Sequence, residues 1–163
     1  MLYRIKRIMW NVYFLLALIF GLFVLFGFFA KTNRTANYAF ASWMDITVYK
    51  TPTCGCCWVY ASYIKKNTDA NVTVKDLDSL SSIKEKYNIP NKLWSCHTSK
   101  VWDKIVEWHI PLEIIKEMFE DDIDARWIAM PGMPSGSPGM PGAKEDFNIF
   151  KLKNDGYEFW TTR

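Results

Sequence analysis

One apolar run near the N-terminus divides this chain into two parts that must fold in different surroundings. From Ile8 to Ala30 the only strongly polar side chain is Asn11. In a helix these 23 residues, at about 1.5 Å each, extend for about 35 Å, which is enough to cross the hydrocarbon core of a bilayer. The run therefore predicts one N-terminal transmembrane helix, within a membrane anchor of residues 1–34.

The charges beside the run predict its orientation. Arg4, Lys6 and Arg7 precede it with no acidic residue nearby, so the positive-inside rule places the N-terminus in the cytoplasm and the rest of the chain outside. Lys31 and Arg34 follow the run and weaken this bias without reversing it. A cleaved signal peptide is the alternative, but its apolar region is usually about 7–15 residues long. The length of the run favours a retained, single-pass anchor.

The rest of the chain carries a slight excess of acidic residues. The net charge of +3 arises in residues 1–34, where every charged side chain is a cation. A mildly acidic domain without a basic stripe has no electrostatic footprint for phosphate backbones. Nucleic-acid binding is therefore excluded as a function class.

Strand and helix patterns alternate after a linker at residues 35–45. Alternating β-branched residues predict strands, apolar residues at helical spacing predict helices, and a turn at 154–156 between two such strands predicts a hairpin. The order predicts an α/β domain over residues 46–163, a thioredoxin-like sandwich with a parallel βαβ start and an antiparallel hairpin at its end. The predicted elements are strand 46–49, helix 58–66 (buried through Trp58, Tyr60, Ala61 and Ile64), strand 71–75, helix 79–87, an irregular segment, helix 112–119, a Pro/Gly/Met loop at 131–142 and hairpin strands 147–152 and 157–160.

Three of the four cysteines stand together where the first strand ends and the first helix begins. Free backbone N–H groups and the helix dipole at such a junction stabilise a thiolate. Cys54 and Cys57 have the spacing of a thiol–disulfide redox pair, so an oxidoreductase that uses these two residues is one hypothesis. Cys56 is not needed for that chemistry. Three thiols within four residues are able to converge on a soft metal ion such as Cu(I) or zinc.

The fourth cysteine, Cys96, is followed by His97, so this second motif offers a thiolate and an imidazole. A disulfide between Cys96 and one cysteine of the cluster is the alternative in an oxidising compartment. Three thiolates and a histidine also suit a structural zinc site with tetrahedral geometry. His109 is a weaker candidate, because orienting a turn is an alternative role for it.

The Pro/Gly/Met loop supplies soft thioether sulfur through Met133 and Met140. Thioethers bind Cu(I) without losing a proton, although methionine also serves as flexible packing material. In thioredoxin-like folds a proline loop before the hairpin faces the active cysteines. Pro131 and Pro134 are therefore candidates for a cis peptide bond.

Four motifs, in this order over residues 46–163, resemble the CopG-type family of copper-resistance-associated proteins, long described as a domain of unknown function. The chain departs from the family pattern at Trp108, where glycine is usual, and at Pro141, where glutamate is common. The motifs that carry the resemblance are Tyr49-Lys50-Thr51-Pro52-Thr53-Cys54-Gly55-Cys56-Cys57, Ser95-Cys96-His97-Thr98, Glu107-Trp108-His109-Ile110-Pro111 and Pro131-Gly132-Met133-Pro134 running into Gly136-Ser137-Pro138-Gly139-Met140.

The resemblance implies a periplasmic protein that holds copper, as Cu(I) or Cu(II), in a thiolate cluster and contributes to copper resistance or homeostasis. It implies Cys54, Cys56, Cys57 and Cys96 as core ligands, and the residue types add His97, Met133 and Met140 to the predicted metal site. Zinc is the alternative metal, and an enzymatic change of the copper oxidation state stays open. The expected partners are copper ions, periplasmic copper export or oxidation proteins, and the inner membrane.

Overall fold

The structure, a computed structural model, describes residues 13–24, 42–121, 123–153 and 156–163. Its internal contacts divide the chain into two compact units, Met1–Asn37 and Tyr38–Arg163.

In the first unit, residues 13–24 form helix α1, and all its side chains are exposed. No helix within the described ranges is both long and apolar enough to cross a membrane. The ends of the predicted span, residues 8–12 and 25–30, lie outside those ranges, as does most of the predicted linker. The membrane anchor and the domain boundaries stay predictions.

The second unit is built on a seven-stranded sheet, and the predicted α/β class is confirmed. Its strands are β1 (Asp45–Lys50), β2 (Asn71–Asp76), β3 (His97–Val101), β4 (Lys104–Glu107), β5 (Trp127–Ala129), β6 (Asn148–Lys153) and β7 (Gly156–Thr162), and its helices are α2 (Gly55–Asn67), α3 (Ser81–Lys86) and α4 (Leu112–Glu120), with a 3-10 turn at Asn91–Leu93. Across the sheet the strands lie in the order β2-β1-β3-β4-β5-β6-β7.

The strand pairing confirms both ends of the predicted chain order. β1 and β2 are parallel and are joined through α2, and β6 and β7 form the antiparallel hairpin. Between them, β3 is antiparallel to both β1 and β4, while β4 is parallel to β5. The sequence patterns missed β3, β4 and β5 because these strands are short and mostly buried, which removes the apolar–polar alternation that predicts a strand.

Helix α2 packs on the sheet through Cys57, Tyr60, Ala61 and Ile64, which follow the i, i+3, i+4, i+7 spacing of one helix face. The prediction that Trp58 belongs to this buried face is wrong. Trp58 is one position out of that spacing and is 48% exposed. The face that packs on the sheet therefore includes a cysteine of the cluster.

The sheet brings the two cysteine motifs to the same edge. β1 ends at Lys50 and β3 begins at His97, and these two residues are directly paired across the antiparallel ladder. The turn after β1 leads to Cys54, and Cys96 immediately precedes β3. Cys54 and Cys96, which are 42 positions apart in the sequence, are thereby placed side by side.

Candidate metal centre

Four sulfur atoms form a compact group at this edge, all within 4.8 Å of one another. The Sγ–Sγ distances are 3.3 Å between Cys57 and Cys96, 3.6 Å between Cys54 and Cys56, and 3.9 Å between Cys56 and Cys96. Cys54 and Cys57 are joined in a disulfide, while Cys56 and Cys96 are free thiols. The structure thus brings together all the cysteines that the two motifs supply.

The cysteine-bearing turn places its sulfur atoms at the positive end of α2. Cys54 is the N-cap residue, and its N–H donates to the carbonyl of Thr51 over 3.1 Å. Cys56 and Cys57 lie in the first turn, which contains no acidic residue. Unpaired N–H groups at a helix start favour anionic sulfur, so this turn is suited to thiolates.

The buried ammonium group of Lys50 contacts the backbone of the turn that leads to the cysteines. Lys50 is fully buried, and its Nζ lies 2.6 Å from the Asp76 carboxylate and donates to the carbonyl of Thr51 over 2.9 Å. The same ammonium lies 4.6 Å from the centre of the Trp58 ring. The exposed Trp58 therefore covers the ammonium by a cation–π contact.

Burial governs the acidity of Cys96. It raises the pKa of this thiol to about 11, with the charge of Cys56 acting in the same direction and the Lys84 ammonium opposing it. The metal-free thiol is therefore protonated at neutral pH. A thiol must lose its proton to become a metal ligand, so metal binding at Cys96 would release a proton.

A pair of buried histidines contacts the sulfur group through His97. His97 Nδ1 is 4.0 Å from Cys96 Sγ, and the rings of His97 and His109 are 5.2 Å apart, with the Tyr60 ring about equally close to both at 5.1 and 4.9 Å. Burial lowers the pKa of His97 to about 3, helped by the charges of His109 and Lys84, and burial also lowers the pKa of His109. Both imidazoles are neutral at physiological pH.

The Nε2 atom of each histidine has no hydrogen-bond partner within the described part of the chain. For His109 the tautomer follows from its other nitrogen, because Nδ1 lies 2.7 Å from the carbonyl of Pro138 and a carbonyl only accepts. The proton is therefore on Nδ1, and Nε2 keeps a free electron pair. His109 ties the methionine loop to the domain, as expected of a histidine that orients a turn.

The methionine loop lies against the start of α2. A Cβ added at Gly139 would be 3.0 Å from Val59 Cγ1 and 3.5 Å from the backbone N of Tyr60. Met140 follows directly, is partly buried, and donates from its N–H to the carbonyl of Ser137 over 2.8 Å. The loop therefore carries Met140 to the cysteine-bearing half of α2.

Met133 is partly buried and occupies a turn with φ of 49°. The expectation of a cis bond at Pro131 or Pro134 is wrong, because none of the described peptide bonds is cis. The chain reverses instead through left-handed residues, among them Gly132, Met133 and Gly136.

A buried ion pair that the sequence patterns did not predict lies beside the segment that carries Cys96. Lys84 Nζ lies 2.8 Å from Glu107 Oε2, and both side chains are almost completely excluded from solvent. Burial lowers the pKa of Lys84, and the nearby Glu107 carboxylate opposes this effect. Lys84 stands in a short helix rich in serine and charged residues, a pattern typical of a solvated face, so no local signal indicated its burial.

Comparison with known proteins finds similarity to one family model and to solved structures. The model of a family of unknown function, DUF411, matches residues 93–140. Two solved structures of copper resistance protein CopG, forms 2 and 1, are each 28% identical to this chain, with TM-scores of 0.66 and 0.61. The alignments cover 74% and 73% of this chain and 98% and 96% of those proteins. The predicted resemblance to the CopG-type family is confirmed. No protein with a curated description matches the sequence.

The match to the DUF411 family model covers the second half of the candidate site. The segment matched by the family model contains Cys96, His97, His109, Met133 and Met140. The C-x-C-C motif at residues 54–57 precedes this segment and joins it in space through the β1–β3 pairing. The similarity to copper resistance proteins and the sulfur group together support a copper-related function.

Proposed function

We propose that this protein binds copper ions as its cargo in a thiolate cluster formed by Cys54, Cys56, Cys57 and Cys96, and that it contributes to copper resistance or homeostasis. The observation that carries the proposal is the convergence of four sulfur atoms within 4.8 Å of one another. Thiolate sulfur is the ligand type that selects Cu(I). The two CopG structures, both copper resistance proteins, favour copper as the metal.

The donor set fits a soft metal ion. It contains sulfur without carboxylates, and the proposed further donors are His97, whose Nδ1 lies 4.0 Å from Cys96 Sγ, and Met140, whose loop packs against α2. Four sulfur atoms around a tetrahedral zinc ion would be about 3.8 Å apart, given a Zn–S distance of about 2.3 Å. The three non-bonded separations given above, 3.3–3.9 Å, are close to that value, whereas Cys54 and Cys57 would first have to be reduced to reach it. Zinc therefore remains the alternative cargo, and metal analysis separates the two.

Copper binding by all four cysteines requires the reduced protein. Two electrons and two protons, supplied by a dithiol reductant, convert the Cys54–Cys57 disulfide into two thiols, and the reductant becomes a disulfide. In the oxidised form only Cys56 and Cys96 are free. Reduction would thus double the number of thiols at the site.

The proposal includes a thioredoxin-like domain in the periplasm, held by a retained inner-membrane anchor. The parallel β1–α2–β2 unit, with its cysteines at the strand-to-helix junction, supports the fold assignment. The apolar run, the cations that precede it and the CopG-type resemblance support this proposed location. Periplasmic copper export or oxidation proteins are the proposed partners.

A thiol–disulfide oxidoreductase is the second candidate function. The disulfide between Cys54 and Cys57 at the start of α2 favours it, because this is the bond that such an enzyme makes and breaks. Cys56 and Cys96 oppose it, since two additional thiols in contact with the pair would compete for its disulfide.

Both candidates can be tested on one sample of the full chain, purified in detergent under anaerobic conditions and reduced. Cu(I) and zinc are offered in turn against a competing chelator, and metal content, cysteine alkylation and insulin reduction are measured. We expect retained copper, protection of all four cysteines from alkylation, and negligible insulin turnover. Rapid turnover by the metal-free form together with weak copper retention would contradict the proposal, and preferential zinc retention would replace copper with zinc.

A further inference from the structure

The Lys84–Glu107 pair is an unusual component of a small domain, because both charges are removed from water. Their side chains are 2% and 0% exposed, and the closest N–O distance is 2.8 Å. A buried ion pair is weak evidence for stability, since apolar residues of similar volume often serve the fold equally well. The hydrogen bonds that the Lys84–Glu107 pair makes with its neighbours therefore indicate a role other than stabilising the fold.

Those contacts lie on both sides of Cys96. On the N-terminal side, the Ser95 N–H and hydroxyl donate to Glu107 Oε2 over 3.0 and 2.7 Å. On the C-terminal side, the Thr98 hydroxyl donates to Glu107 Oε1, while Lys84 Nζ donates to the His97 carbonyl over 3.2 Å and to Thr98 Oγ1 over 3.0 Å. The pair thus fixes the segment Ser95–Thr98 at both ends.

The sulfur of Cys96 stays outside this network and faces the other cysteines. Its Sγ lies 3.3 Å from Cys57 Sγ and 3.9 Å from Cys56 Sγ. Lys84 comes from α3 and Glu107 from the last position of β4, so two separate elements determine where this sulfur lies. Strand pairing with β1 begins only at His97 and does not itself hold residues 95 and 96.

We propose that Lys84 and Glu107 are positioning residues that hold Cys96 in reach of the copper site by tethering Ser95 and Thr98. This inference rests on the proposed function. Neither residue contacts a ligand sulfur by hydrogen bond; both act through the backbone and hydroxyl groups beside Cys96. Loss of such outer contacts typically lowers metal affinity by about 10–100-fold.

The first test removes the pair without leaving a lone buried charge. In the full chain, Lys84→Met with Glu107→Leu should lower Cu(I) affinity by about 10–100-fold, while the unfolding midpoint stays close to that of the wild type. The control, Lys116→Met with Glu120→Leu, removes an exposed ion pair of 3.3 Å on α4 with the same change in charge. The control should bind copper as the wild type does. Unchanged affinity in the Lys84/Glu107 variant would overturn the inference.

A double-mutant cycle shows whether the pair acts through Cys96. In a Cys96→Ala background, removing the pair should cause no further loss of copper affinity. An equal loss in both backgrounds would mean that the pair supports the fold in general, and would also overturn the inference. If the pair variant does not fold, Ser95→Ala with Thr98→Val removes the two hydroxyl tethers and leaves the pair and its backbone contacts intact; it should lower affinity in the same direction.

A copper-free measurement separates this inference from the proposed function. Cys54→Ala with Cys56→Ala leaves only Cys57 and Cys96, whose disulfide can be equilibrated with glutathione to give the effective concentration of one thiol at the other. Removing the ion pair should lower that concentration about tenfold or more. An unchanged value would reject the positioning role, even if the wild type binds copper. Failure of the wild type to retain copper would reject the proposed function alone.

Discussion

At the scale of single residues, Cys56 distinguishes the two candidate functions. An oxidoreductase needs Cys54 and Cys57, whereas the four-sulfur cluster also needs Cys56, whose Sγ lies between 3.6 and 3.9 Å from those of Cys54 and Cys96. Cys56→Ser should therefore lose most of the bound copper, measured as copper per chain after exchange against a chelator. Met140→Leu should lose less, because a thioether is a neutral and weaker donor. Full copper stoichiometry in Cys56→Ser would favour the two-cysteine redox model.

His97 makes the stability of the metal-free protein depend on pH. Its pKa is about 3 in the folded state against 6.5 for the free side chain, so below pH 6.5 the unfolded chain binds a proton that the folded protein does not. The stabilising contribution is complete above pH 6.5 and is lost as the pH falls toward 3. Between pH 6.5 and 5 the loss is about 2 kcal/mol.

Denaturant unfolding of the metal-free protein at pH 7 and pH 5 measures this loss, and His97→Gln is the control because glutamine does not titrate. The variant should show a smaller difference between the two pH values than the wild type. His109, whose pKa is also lowered, adds in the same direction and is left unchanged in both proteins. Equal differences would show that His97 is not held neutral by burial.

The sequence alone predicts those residues of the candidate site that lie close together in the chain and share a ligand chemistry. A C-x-C-C motif at a strand end and a Cys-His pair indicate soft-metal ligands by type and spacing alone. Lys84 and Glu107 were not predictable, because their burial depends on how α3 packs over β3 and β4, and isolated charged residues usually indicate solvent exposure. Buried contacts between residues distant in sequence, such as those of Lys84 and Glu107, can be identified only from the three-dimensional structure.

At the scale of secondary structure elements, the spacing of apolar residues predicted those helices and strands in which that spacing is regular. β1, α2, β2, α4 and the terminal hairpin carry alternating or helical apolar spacing, and each lies within a few residues of its prediction. β5, with three buried residues, and β4, which ends in the buried Glu107, offer too few positions for a period to be recognised. Their strand character comes from pairing with neighbours distant in sequence.

The loop between β5 and β6 gives a prediction at this scale, with two glycines as a matched pair. Both have positive φ, 99° at Gly132 and 74° at Gly136, so alanine at either position adds backbone strain of about 1–3 kcal/mol. Only at Gly136 would the new Cβ meet backbone, 2.7 Å from the Cα of Lys144, whereas it would meet open space at Gly132. Gly136→Ala should therefore be the more destabilising, by about a further 1–3 kcal/mol from overpacking. Denaturant unfolding measures the difference, and equal losses would show that the loop opens freely at Lys144.

At the scale of the whole molecule, the arrangement of the site follows from the order of the sheet. Because β1 runs between β2 and β3, the turn that carries the C-x-C-C motif lies beside the segment that precedes β3. The loop before β6 then reaches the same edge through His109 and Gly139. Four segments far apart in sequence thus meet at one edge of the sheet, which explains why four separated motifs describe one candidate site.

The last prediction concerns where that site lies relative to the membrane. If Ile8–Ala30 is a retained anchor with its N-terminal cations in the cytoplasm, the full-length chain should remain in the inner-membrane fraction with an uncleaved N-terminus. After reduction, a membrane-impermeant thiol reagent applied to spheroplasts should label the copper-depleted cysteines from the outside. Replacing Arg4, Lys6 and Arg7 together by Asn should reduce that labelling, because the charges that orient the anchor are then lost. Mass spectrometry of the mature protein would contradict the anchor if the chain began near Ser42, in which case the same domain would be a soluble periplasmic protein.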